Sequence, residues 1–302
     1  MASRIVIGNE EIRIEGRFLK IARLEGDGYE FIQEPKLLLE ELSRSKHRID
    51  LFTFLQKLTE TAPKYNYPME WDNFAALQIS TFDHWWNEQI GFKARNKAKQ
   101  AEKKKVDVRE VPFDDALVNG IVDVYNETLI RQGAPNKHYG KDFDTVYREE
   151  ATFLDTSVFI GAFLGGSLIG FIKMVYDQTR TQAGLMNIVS MIRHRDKAPS
   201  NALVMQAVKS CADRNIPYLV YSKFAYGKKR NSSLSDFKER NGFQQIDVPR
   251  YFVPLTAIGK TAFQLGLHKR ISEHVPEPVM AKLRKFRSAW YNRKSQSATE
   301  GY

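Results

Sequence analysis

The sequence predicts a mixed α/β (α+β) fold, a mixed sheet flanked by helices, and three stretches carry that prediction. Residues 158–164 and 167–176, VFIGAFL and SLIGFIKMVY, are apolar runs joined by Gly165-Gly166, the pattern of a β-hairpin covered on both faces. Residues 186–203, MNIVSMIRHRDKAPSNAL, pass from a β-like apolar run through a charged loop to Pro199, which suits the first turn of a helix. From residue 106 onward strand-like and helix-like periods follow one another. A strand that feeds a helix through such a loop is a general anion-binding device, because the first N–H groups of the helix lack partners. An ordinary connection with a solvated basic loop is the competing reading.

The first hundred residues read as β-rich, then helical. Ile12, Ile14, Phe18, Leu19 and Ile21 alternate loosely with polar residues, Gly26-Asp27-Gly28 is a turn signal, and residues 29–32 are a short strand candidate. Pro35 opens a helix with Leu37, Leu38, Leu39 and Leu42, residues 49–58 are strand or helix, and residues 74–79 are a strand. Thr81 caps one long helix to Lys105, whose second half is rich in lysine, either a solvated face or a surface for phosphates. His84, Trp85 and Trp86 at its start read as packing residues.

Residues 106–113 are a strand, and Asp114 with Asp115 opens a helix whose stripe is Leu117, Ile121, Val124 and Tyr125. Residues 126–143, NETLIRQGAPNKHYGKDF, crowd polar chemistries around three turn residues and form the best candidate for a substrate-contact loop. Helix resumes at 139–153. After the hairpin and the 186–203 stretch, a helix at 199–214 turns Val204, Ala207, Val208 and Cys211 inward, and residues 217–224 are a buried strand. A short helix at 233–241 stops at Gly242, followed by strands at 243–246 and 251–255. Two amphipathic helices close the chain, with Ile258, Ala262, Leu265 and Leu267 on one and Val279, Leu283, Phe286 and Trp290 on the other; the end from Lys294 reads as disordered.

The 302 residues suit two linked units, with 1–105 an α+β half ending in the basic helix, 106–255 the main domain and 256–302 the tail. No run is long enough to span a membrane and the N-terminus does not read as a secretory signal, so a cytoplasmic protein is expected, peripheral to the inner membrane face if the tail binds lipid. One cysteine, Cys211, leaves no internal disulfide and reads as a buried core residue. Lys plus Arg exceed Asp plus Glu by 46 to 36, a balance that favours anionic partners without choosing among them: coenzyme phosphates, nucleic acid, nucleotide-activated or lipid-linked precursors or an anionic membrane surface. The six histidines show no metal-ligand spacing.

The element order from residue 106 resembles the GNAT acyltransferase superfamily, whose members mostly move an acyl group from acyl-coenzyme A to an amine. Its signature, Arg/Gln-x-x-Gly-x-Gly/Ala, falls on Arg195, Ala198 and Ser200, with side chains at both glycine positions and no amide on Pro199. Leu234-Ser235-Asp236-Phe237-Lys238, before Gly242-Phe243, is similar to the Phe-Lys motif of Fem-type peptidyltransferases, which add amino acids to cell-wall precursors and pair two GNAT-like halves. On that resemblance residues 1–105 are a reduced first half. It implies an acyltransferase acting on an amine of a sugar-nucleotide or cell-envelope precursor, small or lipid-linked, with acyl-CoA or acetyl-CoA as donor and no metal. The alternatives are aminoacyl-tRNA-dependent transfer and a non-catalytic module that binds nucleic acid or membrane. The resemblance places the donor on Met191, Ile192, Arg193, Arg195, Lys197, Ala198, Ser200 and Asn201, with an N–H near Met191 or Ile192 meeting the oxyanion. Lys238 would face the leaving group, and Glu127 or His138, with His194 behind them, would serve as base.

Overall fold

The computed structural model of the chain describes residues 3–58, 60–131, 133–225 and 232–269, with single positions at Val279, Lys282 and Tyr291. The chain begins with an antiparallel meander, β1 (Ser3–Ile7), β2 (Glu10–Glu15) and β3 (Ile21–Leu24). Residues 29–32 are not the expected strand: the Tyr29 and Glu30 N–H groups both donate to the Gly26 carbonyl at 2.8 Å and close a turn there, while the Tyr29 ring lies against Gly184, where a Cβ would be 2.5 Å from it. Helix α1 (Pro35–Arg44) then buries Leu38, Leu39 and Leu42 on the meander and leaves Leu37 outside. The ambiguous run at 49–58 is a strand, β4 (Leu51–Leu55), buried at every position. It is followed by β5 (Met69–Gln78).

The helix expected at 81–105 is broken into two. Thr81 caps α2 (Phe82–His84) by accepting the His84 N–H at 3.0 Å, and a π-helical turn follows. At Gly91 the backbone is extended, and its N–H donates to the Arg240 carbonyl at 2.8 Å. Helix α3 (Phe92–Lys103) restarts there and buries Ala94, Ala98 and Ala101, so its lysines point outward. Trp85 is buried with its Nε1 donating to the Asn241 carbonyl at 2.9 Å, while Trp86 stacks on Phe82.

Strand β6 (Asp107–Val111) leads to α4 (Asp115–Asn126), capped by Asp114 and buried along the expected stripe. The polar loop contains a minimal hairpin, β7 (Ile130–Arg131) with β8 (Ala134–Pro135). Helix α5 (Phe143–Glu150) begins four residues later than expected, because Gly140 sits at φ +83° and Asp142 supplies the N-cap at 3.0 Å. Next come β9 (Ser157–Leu164), β10 (Ser167–Tyr176), β11 (Ala183–Ser190), α6 (Pro199–Asp213) and β12 (Tyr218–Lys223). Helix α7 (Ser233–Arg240) ends before Gly242 at φ +89°. The two strands expected at 243–255 are one, β13 (Gln244–Pro254), and α8 (Ala257–Gln264) follows. The expectations for the stripe at 279–290 and for the last residues lie outside the described residues, apart from helical positions at Val279 and Lys282.

Among the described residues eleven strands join in one sheet, in the order β1-β2-β3-β4-β13-β5-β12-β11-β10-β9-β6. At the middle of the sheet each half receives a strand from the other half of the chain. β5 lies between β12 and β13, and β13 pairs with β5 through its first part and with β4 through its last. One core lies between the β6–β12 side and helices α3, α4 and α6, and a second gathers β2–β4, α1 and Tyr251 of β13. Arg250 ties the middle together, donating from Nε to Asp72 at 2.7 Å and from Nη1 to Asp27 at 3.0 Å, while Lys223 pairs with Asp72 at 2.7 Å.

Candidate functional site

The site begins where two strands part. β11 pairs with β10 along its whole length, but it meets β12 only at Ala183 with Leu219 and Gly184 with Val220, in parallel. Beyond those positions β11 runs on to Ser190 while β12 stays with β5. Ser222 at φ +49° bends β12 there, and the Phe224 N–H donates to the Asn73 carbonyl of β5 at 3.2 Å. Backbone groups on the facing edges are thereby released from the ladder, which leaves a V-shaped opening that can take an extended ligand.

At the tip of β11 the Ser190 carbonyl accepts from Arg131 Nη2 at 2.6 Å, and the Ser190 hydroxyl bonds to that of Ser200 at 2.7 Å. The Met191 N–H donates to the Ile169 carbonyl at 2.8 Å. The next two amides hold an anion belonging to the protein itself: Ile192 N–H donates to Glu127 Oε2 at 2.7 Å and Arg193 N–H to Oε1 at 2.8 Å. Thus the N–H groups expected to meet an oxyanion near Met191 and Ile192 have internal partners, and Glu127, expected as a base, is a carboxylate seated on the backbone.

Residues Ile192–Lys197 then coil into a 3₁₀ stretch rather than an open loop, and the Gln100 side chain donates to the Asp196 carbonyl at 2.7 Å. Ala198 adopts φ +54°, ψ +41°, the left-handed conformation that suits the glycine of the signature. The backbone keeps that shape with a Cβ in place, at a cost of about 1–2 kcal/mol. Lys197 lies 3.2 Å from Asp196, and the flanking cations Lys197 and Arg193, after burial, lower the His194 pKa. Asn201 approaches Asn241 at 3.5 Å, linking the first turn of α6 to the end of α7.

The other two candidates stand on either side. Lys238 of α7 is wholly buried; its Nζ donates to the Lys223 carbonyl at 2.5 Å and lies 4.5 Å above the Tyr221 ring. Burial lowers its pKa to about 8. His138 stacks on Tyr125 with ring centroids 4.1 Å apart, and its Nδ1 is 3.3 Å from Lys141 Nζ. Burial, then the charges of Lys141 and Lys137, push its pKa down to about 4, so the ring is neutral and weakly basic.

Sequence reasoning passed over three features of the site. Arg131 is the half-buried cation at the mouth, its pKa lowered first by burial, raised by Glu127 and Tyr221 and lowered by Arg195. Tyr221 of β12, whose ring lies under Lys238 Nζ, is one of the groups that raise the Arg131 pKa. Behind β11 the buried Glu150 carboxylate accepts from the Tyr125 hydroxyl at 2.8 Å and from Asn187 Nδ2 at 2.9 Å. Beside it Lys173 donates to the carbonyls of Glu150 and Thr152 at 2.7 and 2.6 Å and to the Thr152 hydroxyl at 2.9 Å. A lysine inside the apolar run SLIGFIKMVY was the signal for this network, because a buried ammonium needs partners.

Solved structures share this architecture. FemX superposes with a TM-score of 0.59 at 10% identity, over 88% of this chain and 90% of that one. L-PGS from Bacillus licheniformis gives 0.56 at 12% identity, over 87% and 88%. The fold is GNAT-like. A candidate lysylphosphatidylglycerol synthetase C-terminal domain from Agrobacterium fabrum also matches, with a TM-score of 0.56 at 10% identity over 87% of both chains. No family model and no curated protein matches the sequence. The mixed GNAT-like sheet flanked by helices is therefore as the element order implied, and among the described residues no helix is long and apolar enough to cross a membrane.

Proposed function

We propose that the chain is a transferase that moves an acyl group from an activated donor, seated in the opening between β11 and β12, onto an amine. The observation that supports this reading is the parting of those strands beyond Gly184 and Val220, with Arg131 held on the Ser190 carbonyl at the end of β11 and Lys238 over the Tyr221 ring of β12. The amine nitrogen attacks the donor carbonyl, the bond to the leaving sulfur or oxygen breaks, and the proton lost by the amine is balanced by one gained by the leaving atom. In this reading Arg131, anchored on the Ser190 carbonyl, supplies a fixed positive charge for the developing oxyanion. Lys238, held near pKa 8, is an ammonium able to give up its proton near neutral pH.

In the first version the donor is acyl-CoA or acetyl-CoA, with its diphosphate on Arg195, Lys197, Ser200 and Asn201. The acceptor is an amine on a sugar-nucleotide or lipid-linked envelope precursor, and the protein works in the cytoplasm or at the inner membrane face. A second version, with an aminoacyl-tRNA donor, is favoured by one observation: Glu127 places a carboxylate on the Ile192 and Arg193 amides, beside the loop where a diphosphate would lie. A fixed anion repels a diphosphate and attracts the ammonium of an aminoacyl ester.

The test pairs two donors with two variants. Full-length protein is assayed for amine-dependent thiol release from acyl-CoA and for amine-dependent deacylation of charged tRNA. Activity with either donor is expected, with kcat lowered about a hundredfold in Lys238→Met. Glu127→Gln is expected to tighten coenzyme A binding about tenfold in calorimetry. Absence of amine-dependent turnover with both donors sinks the transferase reading.

A further inference from the structure

We propose that the corner formed by the β2–β3 turn and the first turn of α8 docks on an anionic lipid bilayer. Phe18, at the tip of that turn, is 80% exposed, with the Arg17 guanidinium 5.5 Å from its ring centre. One buried carboxylate, Asp50, holds the corner together. It accepts the Lys20 N–H at 2.9 Å, pairs with Arg48 at 3.0 Å and accepts the Thr256 hydroxyl at 2.9 Å, just ahead of α8. Arg48 also donates to the Phe18 carbonyl at 3.0 Å. Gly259 lets α8 lie directly on Asp50, since a Cβ there would be 1.8 Å from the Asp50 carbonyl oxygen.

This seating leaves Ile258, 55% exposed, and Leu265, 64% exposed, two helical turns apart on the outer side of α8. Arg17 on the turn, Lys46 and Arg48 between α1 and β4, and Lys260 on α8 are exposed, and Lys20 is partly so; of the carboxylates on these segments Asp50 is buried and paired, and Glu15, just ahead of the turn, is paired with Arg13 and Arg23. An exposed aromatic with aliphatic neighbours and a cationic collar matches an anionic membrane interface, where apolar groups leave water and ammonium and guanidinium groups meet headgroup phosphates. The aliphatic pair decides against nucleic acid: bases stack on aromatic rings and guanidinium planes, and Ile258 and Leu265 offer neither.

Full-length protein is sedimented with phosphatidylcholine vesicles, with and without 30 mol% phosphatidylglycerol. Binding to the anionic vesicles alone is expected. Phe18→Ser with Ile258→Ser should weaken it about tenfold, and Arg17→Glu or Lys46→Glu roughly fivefold each. All four side chains are exposed, so circular dichroism and melting temperature should match the parent. The proposal is overturned if the parent ignores anionic vesicles at low salt, or if the variants bind them as the parent does, which would place any membrane contact elsewhere on the chain. It is equally overturned if these substitutions abolish binding to a single-stranded oligonucleotide or self-association while vesicle binding persists.

Discussion

His138 shows how one residue's surroundings change its chemistry. Its imidazole lies against Tyr125 and within reach of Lys141, and burial together with two lysines brings its pKa from the usual value of 6.5 to about 4. The unfolded chain therefore takes up a proton near pH 6.5 while the folded chain resists until about 4. The stability His138 contributes is present in full above pH 6.5 and is lost as pH falls toward 4. In His138→Gln, urea unfolding free energies measured between pH 7 and 4 should fall less steeply than in the parent; equal slopes would show that His138 does not carry this dependence. Glu127 teaches the opposite lesson about legibility. Its position in a polar loop marked it as functional, yet its partners lie 65 and 66 residues further on. No local pattern could show that its two oxygens would be spent on backbone amides, and Arg131, from the same loop, was hidden for the same reason.

Elements were legible where local pattern and burial agree. The hairpin β9–β10, α4 with its Asp114 cap, and α6 follow from apolar spacing and turn chemistry. The break between α2 and α3 does not, because residues 81–105 contain no proline and are mostly good helix formers. It is a tertiary event, the docking of Gly91 on the Arg240 carbonyl. The signature loop was legible in register but not in shape: the left-handed turn survives at Ala198, while residues 192–197 close into a 3₁₀ coil around Glu127. Gly259 gives this scale its own test. In a free helix Gly→Ala gains about 1 kcal/mol. Here the new methyl group meets a backbone carbonyl that cannot swing aside, and overpacking of this kind costs about 1–3 kcal/mol or more. Gly259→Ala should therefore lower stability by about 2 kcal/mol in chemical denaturation; a gain would mean that α8 does not sit on Asp50.

At the scale of the whole molecule, the exchange of β5 and β13 decides how the two sides of the sheet stand or fall. Losing β13 would strip β4 of a neighbour on one side and β5 on the other, so neither core can open without exposing the edge of its partner. The Arg250 network lies in that seam, with its guanidinium between Asp72 of β5 and Asp27 of the β3–α1 turn. Such a molecule should unfold as one cooperative unit, although it has two main cores. Native-state hydrogen exchange at rising urea reads this directly. Amides of Ile12 and Ala22, in β2 and β3, should reach the same opening free energy as those of Ile160 and Ile172, in β9 and β10. Arg250→Ala should lower both by the same amount, about 3–5 kcal/mol, because it leaves the buried Asp72 and the partly buried Asp27 short of their partner. Two separate opening free energies, or a loss confined to one side, would show that the exchanged strands do not couple the cores.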